Sequence, residues 1–226
     1  MKDAVLVATE NLNKNIVVAD IATDHGYLAE ALSKETVVEK VIATDISKKC
    51  LSKLEKLIAV NNLKKIETIV GDGLEPIQKI DVAVVAGVGG FEIIKMLSKQ
   101  NETAFHERKC ELFVLQPAQN VVELRNWIFE NNIFVLKDYV VKDCERFYPI
   151  IIIDVSKTQI NEKTVFNLWI GRDNDLKDED FVLFLKDSLT FLEFLDGIPQ
   201  ERIECDETLK NKLQLKIVIE NLLKQC

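Results

Sequence analysis

The chain has 226 residues, 47% of them hydrophobic and 29% charged, with a formal net charge of −8. That length holds one large domain, or one domain with a small appendage, and can bury a substantial core. No apolar run approaches the ~20 residues of a membrane span, and the acidic balance argues against indiscriminate binding of nucleic acid.

In chain order, the first half alternates short apolar runs with longer amphipathic ones. Strands are predicted at Ile16–Asp20, Lys40–Asp45, Ile66–Val70, Val82–Ala86 and Leu112–Gln116. Helices are predicted between them at Gly26–Ser33, Ser47–Asn61, Gly90–Lys99 and Val121–Asn131. Such alternation predicts a parallel sheet covered on both faces. Ser47 is placed to cap the second helix, Leu51, Leu54, Leu57 and Ile58 form its buried stripe, and Asn61-Asn62 ends it.

Beyond the fifth strand, Ile133–Val141 and Phe147–Val155 follow with only Lys142 to Arg146 between them, which predicts an antiparallel hairpin. A sheet closing on a hairpin is the layout of the class I methyltransferases, an α/β, Rossmann-like fold. From Ser156 the composition changes. Glu179–Leu195 carries Phe181, Phe184, Leu185, Leu192 and Leu195 on one stripe, Gly197-Ile198-Pro199 breaks the chain, and Thr208–Gln225 carries Leu209, Leu213, Ile217 and Leu222. The expectation is a C-terminal α-helical hairpin and two domains, 1–155 and 156–226.

The chemistry sits at the strand ends. Asp20-Ile21-Ala22-Thr23-Asp24-His25-Gly26 follows the first strand, and Asp45 ends the second, 19 residues after Gly26. A carboxylate about 20 residues past a small-residue turn is placed to accept ribose hydroxyls, and capping of the helix at Ser47 is the other role open to Asp45. Asp24 in that turn opposes a pyrophosphate and suits a cationic ligand. S-adenosylmethionine carries a sulfonium and an ammonium and has no phosphate. Capping of the following helix is the other role open to Asp24. Asp72, between Gly71 and Gly73, is the third acid in the series and is placed to accept from an adenine amino group.

Ala86-Gly87-Val88-Gly89-Gly90 and Gln116-Pro117-Ala118-Gln119-Asn120 end the fourth and fifth strands, where glycines admit close approach and amides can read a base edge. The only histidines, His25 and His106, form no metal or triad pattern, and His106 is expected in an exposed polar loop. The five cysteines, Cys50, Cys110, Cys144, Cys205 and Cys226, contain no CxxC pair, so neither a zinc site nor a disulfide framework is expected and a reducing cytoplasm is the simplest setting. The N-terminal Met1-Lys2-Asp3-Ala4 lacks the charged and apolar regions of a signal peptide. Lysines cluster at Lys48, Lys49, Lys53, Lys56, Lys64 and Lys65, and again at Lys210, Lys212, Lys216 and Lys224. Solvated helix faces and a local basic surface are the two readings of these runs.

Ala19-Asp20-Ile21-Ala22-Thr23-Asp24-His25-Gly26-Tyr27-Leu28 resembles the signature run of the bacterial tRNA (adenine-22-N1)-methyltransferase family. Gly71-Asp72-Gly73-Leu74, Ala86-Gly87-Val88-Gly89-Gly90, and Leu115-Gln116-Pro117 with Leu124-Arg125-Asn126-Trp127 are similar to its later motifs, in the same order. The resemblance covers roughly residues 1–155. Ala22 stands where the family has glycine, Gly26 where it has alanine, Ala29 where it has proline, and Val88 where it has methionine.

The resemblance implies a cytoplasmic enzyme that takes S-adenosylmethionine as cofactor and tRNA as partner, without membrane or metal, and a monomer is expected. Donor binding is assigned to Asp20, Ala22, Asp24, Gly26, Asp45, Ile46, Asp72, Gly73, Ala86 and Gly87. Asp24 and Gln116 are the candidate catalytic residues. The target base is assigned to Tyr27, Val88, Gly89, Gly90, Gln116 and Pro117, and the RNA beyond it to Lys48, Lys49, Lys53, Arg125, Lys210, Lys212 and Lys216. The alternatives are a methyltransferase of another substrate and a non-catalytic adenosine- or RNA-binding module.

Overall fold

The computed structural model describes residues 1–102 and 109–225, so His106 and Cys226 lie outside the described residues. The chain divides into two compact units, residues 1–137 with 150–161, and residues 138–149 with 162–226.

The first unit is built on a sheet. Strands β1 (Ile16–Ile21), β2 (Val38–Asp45), β3 (Ile66–Val70), β4 (Val82–Gly89) and β5 (Leu112–Gln119) alternate with helices α2 (Tyr27–Ser33), α3 (Lys48–Asn61), α4 (Gly90–Glu102) and α5 (Val121–Glu130), after an N-terminal helix α1 (Lys2–Thr9). The β1–β2, β1–β4, β2–β3 and β4–β5 pairs are all parallel. The last two strands, β6 (Ile133–Asp143) and β7 (Arg146–Thr158), turn at Cys144, whose φ is 53°. β7 runs antiparallel to β5, pairing Leu112 with Asp154 and Leu115 with Ile151. The full strand order is β3-β2-β1-β4-β5-β7-β6.

Helices on both faces explain why the strands read as unbroken apolar runs. Val18, Ala19, Val82, Ala83, Val84, Val85, Phe113, Val114 and Leu115 are all fully buried. Leu51 and Leu54 of α3 and Leu124 and Ile128 of α5 are fully buried as well. Ser47 caps α3 by accepting from the Cys50 N–H, and Asn62 ends it in the left-handed conformation.

The second unit holds α6 (Val165–Trp169), α7 (Glu179–Leu192), a 3-10 turn (Glu193–Gly197), α8 (Gln200–Cys205) and α9 (Glu207–Leu223). Asp178 and Asp206 cap α7 and α9, each accepting from two backbone N–H groups. Phe181, Leu185, Leu192, Leu195, Leu215, Ile219 and Ile170 form its core.

Three expectations are corrected here. Ile217 is 49% exposed, because successive steps of four residues rotate the stripe by about 40° each, and two steps from Leu209 carry Ile217 out of the core face. The same rotation brings Lys216 inward. Lys216 is buried and its ammonium pairs with Asp196 at 2.5 Å, so it is a packed ion pair rather than an RNA contact. Arg125 is only 1% exposed on the inner face of α5 and cannot reach a phosphate.

Candidate active site

β1 lies between β2 and β4, so the connections leave it in opposite directions. A parallel sheet opens a crevice at the carboxyl ends of strands at such a point. A largely apolar cavity of about 310 Å³ lies there. Ala22, Asp45, Ile46, Asp72, Gly73 and Val88 line it, drawn from the ends of β1, β2, β3 and β4. The sequence reading missed its wall on α4, where Glu92, Lys95, Met96 and Lys99 stand, because nothing in a helix's sequence says which of its polar residues face a crevice. Lys99 pairs with Glu75 at 2.8 Å, and Lys109 donates to the carbonyls of Leu74 and Glu75.

The loop after β1 holds a left-handed backbone at alternate residues, with φ of 58° at Ala22, 47° at Asp24 and 75° at Gly26. Asp20 does not line the cavity. It is buried and accepts from the Thr23 hydroxyl at 2.6 Å and from the Ala29 backbone. Gly26 leaves α2 with no side-chain cap, so Asp20 takes one of the free N–H groups of that helix from the strand before it. Burial pushes the Asp20 carboxyl up to about 6, against the lowering effect of those hydrogen bonds. Asp45 accepts from the Ser47 N–H at 2.7 Å and the Asp24 N–H at 3.3 Å, which ties the first loop to the second.

Asp24 does not cap α2. Its carboxylate meets the Nδ1 of His25 at 2.5 Å, and the Nε2 of His25 lies 3.2 Å from the Lys53 ammonium. The His25 hydrogen bond, followed by that of the Cys50 side chain and the charge of Lys53, holds the Asp24 carboxyl below the usual carboxylate range. The imidazole stacks on the Tyr27 ring, with centroids 5.7 Å apart and planes 9° apart. Tyr27 is 72% exposed.

At the end of β4, Gly87 forms a bulge: Ala86 pairs with Gln116 and Val88 with Pro117. Pro117 has no N–H to give the ladder, and Gly87, at φ 72°, turns its own N–H to the Gln116 side-chain oxygen at 3.0 Å. Pro117 is itself buried in the sheet, which corrects its assignment to the target base. Gly90 is glycine for a packing reason, since a Cβ there would lie 2.3 Å from the Asn120 carbonyl oxygen. Gly87 faces open space.

The exposed face of α3 carries Lys48, Lys49 and Lys56, none of them in an ion pair among the described residues. The tail lysines differ. Lys210 pairs with Glu207 at 3.4 Å and Lys212 lies over the Phe194 ring at 5.5 Å. Among the described residues no cluster could hold a metal ion, and no helix is long and apolar enough to cross a membrane.

Residues 4–151 match the family model described as a methyltransferase domain. A Mycoplasma genitalium protein named as a tRNA methyltransferase is 33% identical over 145 residues, 62% of this chain. That match spans 63% of the relative's length. Among solved structures, Mycoplasma capricolum TrmK in complex with S-adenosyl-homocysteine aligns with a TM-score of 0.73 at 23% identity, covering 99% of this chain and 96% of that one. The crystal structure of B. subtilis TrmK, an m1A22 tRNA methyltransferase, aligns at 0.67 with 21% identity, covering 98% of this chain and 96% of that one.

Proposed function

We propose, from the premise that the chain belongs to the methyltransferase-domain family its residues 4–151 match, that it methylates N1 of adenine 22 in tRNA with S-adenosylmethionine as donor. The observation that carries this reading is the pairing of two features within one unit. A cavity rimmed by Asp45 and Asp72 at the strand ends adjoins a loop where Asp24 is held ionised beside an exposed, stacked Tyr27. The similarity to tRNA methyltransferases, one of them bound to the demethylated product of that donor, supports it.

The cavity fits the donor. Asp45, Asp72 and Gly73 line the cavity; Asp45 would accept the ribose hydroxyls and Asp72 with Gly73 would meet the adenine. When bound, the donor supplies a methyl group on a cationic sulfur. N1 of adenine has a free lone pair at neutral pH, so no general base is needed. As N1 bonds to the methyl carbon and the carbon–sulfur bond breaks, positive charge passes to the adenine ring. An ionised Asp24 can accept from the amino group of the base and offset that charge. N1 lies on the Watson–Crick edge, so the adenine must leave its helix, and Tyr27 offers it a stacking face. The Gln116–Gly87 hydrogen bond fixes the facing loop. Lys48, Lys49 and Lys56 offer the RNA phosphates a cationic face on the same unit.

The test is transfer from isotopically labelled donor to unmodified tRNA, followed by nucleoside analysis. Label recovered as N1-methyladenosine supports the reading. Label on another nucleoside, or only on protein, refutes it.

A further inference from the structure

The basic face of α3 contains one lysine that behaves differently from its neighbours. Lys48, Lys49 and Lys56 form no ion pair among the described residues, whereas the Lys53 ammonium is 3.2 Å from the His25 Nε2. On its other side the same imidazole meets Asp24 at 2.5 Å, and its face lies on Tyr27. We propose that Lys53 is a positioning residue of the methyl-transfer site: it fixes the His25 proton on Nδ1, and so holds Asp24 and Tyr27 in one arrangement. This rests on the function proposed above.

The argument is one of donors and acceptors. A lysine ammonium has three donors and no acceptor. The ring nitrogen facing it must therefore accept, which leaves the imidazole hydrogen on Nδ1, directed at the Asp24 carboxylate. In the other tautomer both contacts turn repulsive. The Nε2 hydrogen would face the ammonium, and the Nδ1 lone pair would face carboxylate oxygens. Lys53 thus selects the tautomer that binds Asp24, and it does so from 28 residues away. Tyr27 is drawn in because its ring lies nearly parallel to the imidazole, 9° apart. A turn of the histidine away from Asp24 would also break the stack. The arrangement has the form of a side chain oriented by a second residue that does not itself touch substrate.

Lys53 is exposed, so replacing it leaves the core intact. The probe is the imidazole nitrogen spectrum of full-length, isotope-labelled protein. The chain has two histidines, and His106→Gln assigns the signals. The wild type is expected to show His25 with its proton on Nδ1. In Lys53→Met the proton population moves toward Nε2, while Lys53→Arg keeps the wild-type pattern. In the methylation assay, Lys53→Met loses roughly 10- to 100-fold in kcat, the scale of a misplaced reacting group. Its KM for tRNA and its donor affinity stay near wild type, and the arginine variant restores turnover. An unchanged tautomer in Lys53→Met overturns the proposal. So does a loss confined to KM for tRNA, which would make Lys53 a phosphate contact like its neighbours. The tautomer comparison needs no substrate, so it judges Lys53 even where the wild type fails to methylate tRNA and the functional reading falls.

Discussion

Gly26 packs so tightly on Leu54 that a Cβ added to it would lie 2.4 Å from the Leu54 Cδ1, at a backbone φ of 75°. Leu54 is fully buried on the inner face of α3, so it has little room to yield. The strand-to-helix turn is thereby keyed to the helix that follows β2. Gly26→Ala should cost about 1–2 kcal/mol for the left-handed backbone and about 1–3 kcal/mol more for overpacking. Chemical denaturation would measure it. A double variant with Leu54→Ala should show clear coupling, because the smaller residue makes room. Additive effects would remove the Gly26–Leu54 packing from the account.

Ala22 is the converse case. It holds φ of 58° with a side chain that resists it. Ala22→Gly relieves roughly 1 kcal/mol of strain but loosens the unfolded chain by about 0.4–1 kcal/mol. The two nearly cancel, so stability should change little and donor affinity should persist. A large loss of stability or of donor binding would show that the alanine methyl makes an interaction of its own.

Asp20 gives a pH dependence of stability. Its folded carboxyl is raised to about 6 from an ordinary 3.8. The native state therefore holds a proton that the unfolded chain releases first. Stability from this group is complete below about pH 4 and is lost as pH rises through about 6, by an amount of order 3 kcal/mol. Asp20→Asn removes the titration. Denaturant unfolding of both proteins between pH 4 and 8 should show a difference that changes up to about pH 6–7 and is flat above. A difference that is constant throughout would contradict the buried-acid account.

The acids of the site separate binding from transfer. Asp45→Ala should weaken the donor by roughly 1.5–3 kcal/mol, the range for a hydrogen bond to a charged group. Asp24→Asn should fold, bind the donor, and lose methyl transfer, since Asp24 caps no helix. Calorimetry and a turnover assay on the two variants distinguish these outcomes. Full activity in Asp24→Asn would leave its carboxylate without a role.

RNA binding should map to α3. Reversing Lys48, Lys49 and Lys56 is expected to weaken tRNA binding and flatten its salt dependence, by a slope of about 0.7–0.9 for each phosphate that is no longer neutralised. Reversing Lys210 and Lys212 should do much less, because both already have partners. Equal effects from the two sets would return the tail lysines to the interface.

The ends of β1, β2, β4 and β5 were legible because an acid, glycine or amide group follows an unbroken apolar run, and a parallel sheet buried on both faces writes such runs into the chain. β3 is an edge strand and carries Glu67 and Thr68. β3 matches its expected span of Ile66–Val70, and β1 and β2 end within a residue of theirs. The short helices α1, α6 and α8 went unseen, being at most eight residues long with no full stripe. Arg125 and Lys216 were misplaced because a charge in a sequence looks exposed, and only the packing shows it turned inward. His25 and Lys53 could not be joined from sequence at all, since the helix that brings them together sets their distance.

The most direct measurement uses two unmodified tRNA transcripts, one with adenine and one with guanine at nucleotide 22, each incubated with the protein and S-adenosylmethionine and read by primer extension. N1 methylation blocks base pairing, so the account predicts a new stop immediately 3′ of nucleotide 22 in the adenine transcript, dependent on the donor and absent from the guanine transcript. A stop elsewhere, or none in either transcript while the donor binds, would contradict it.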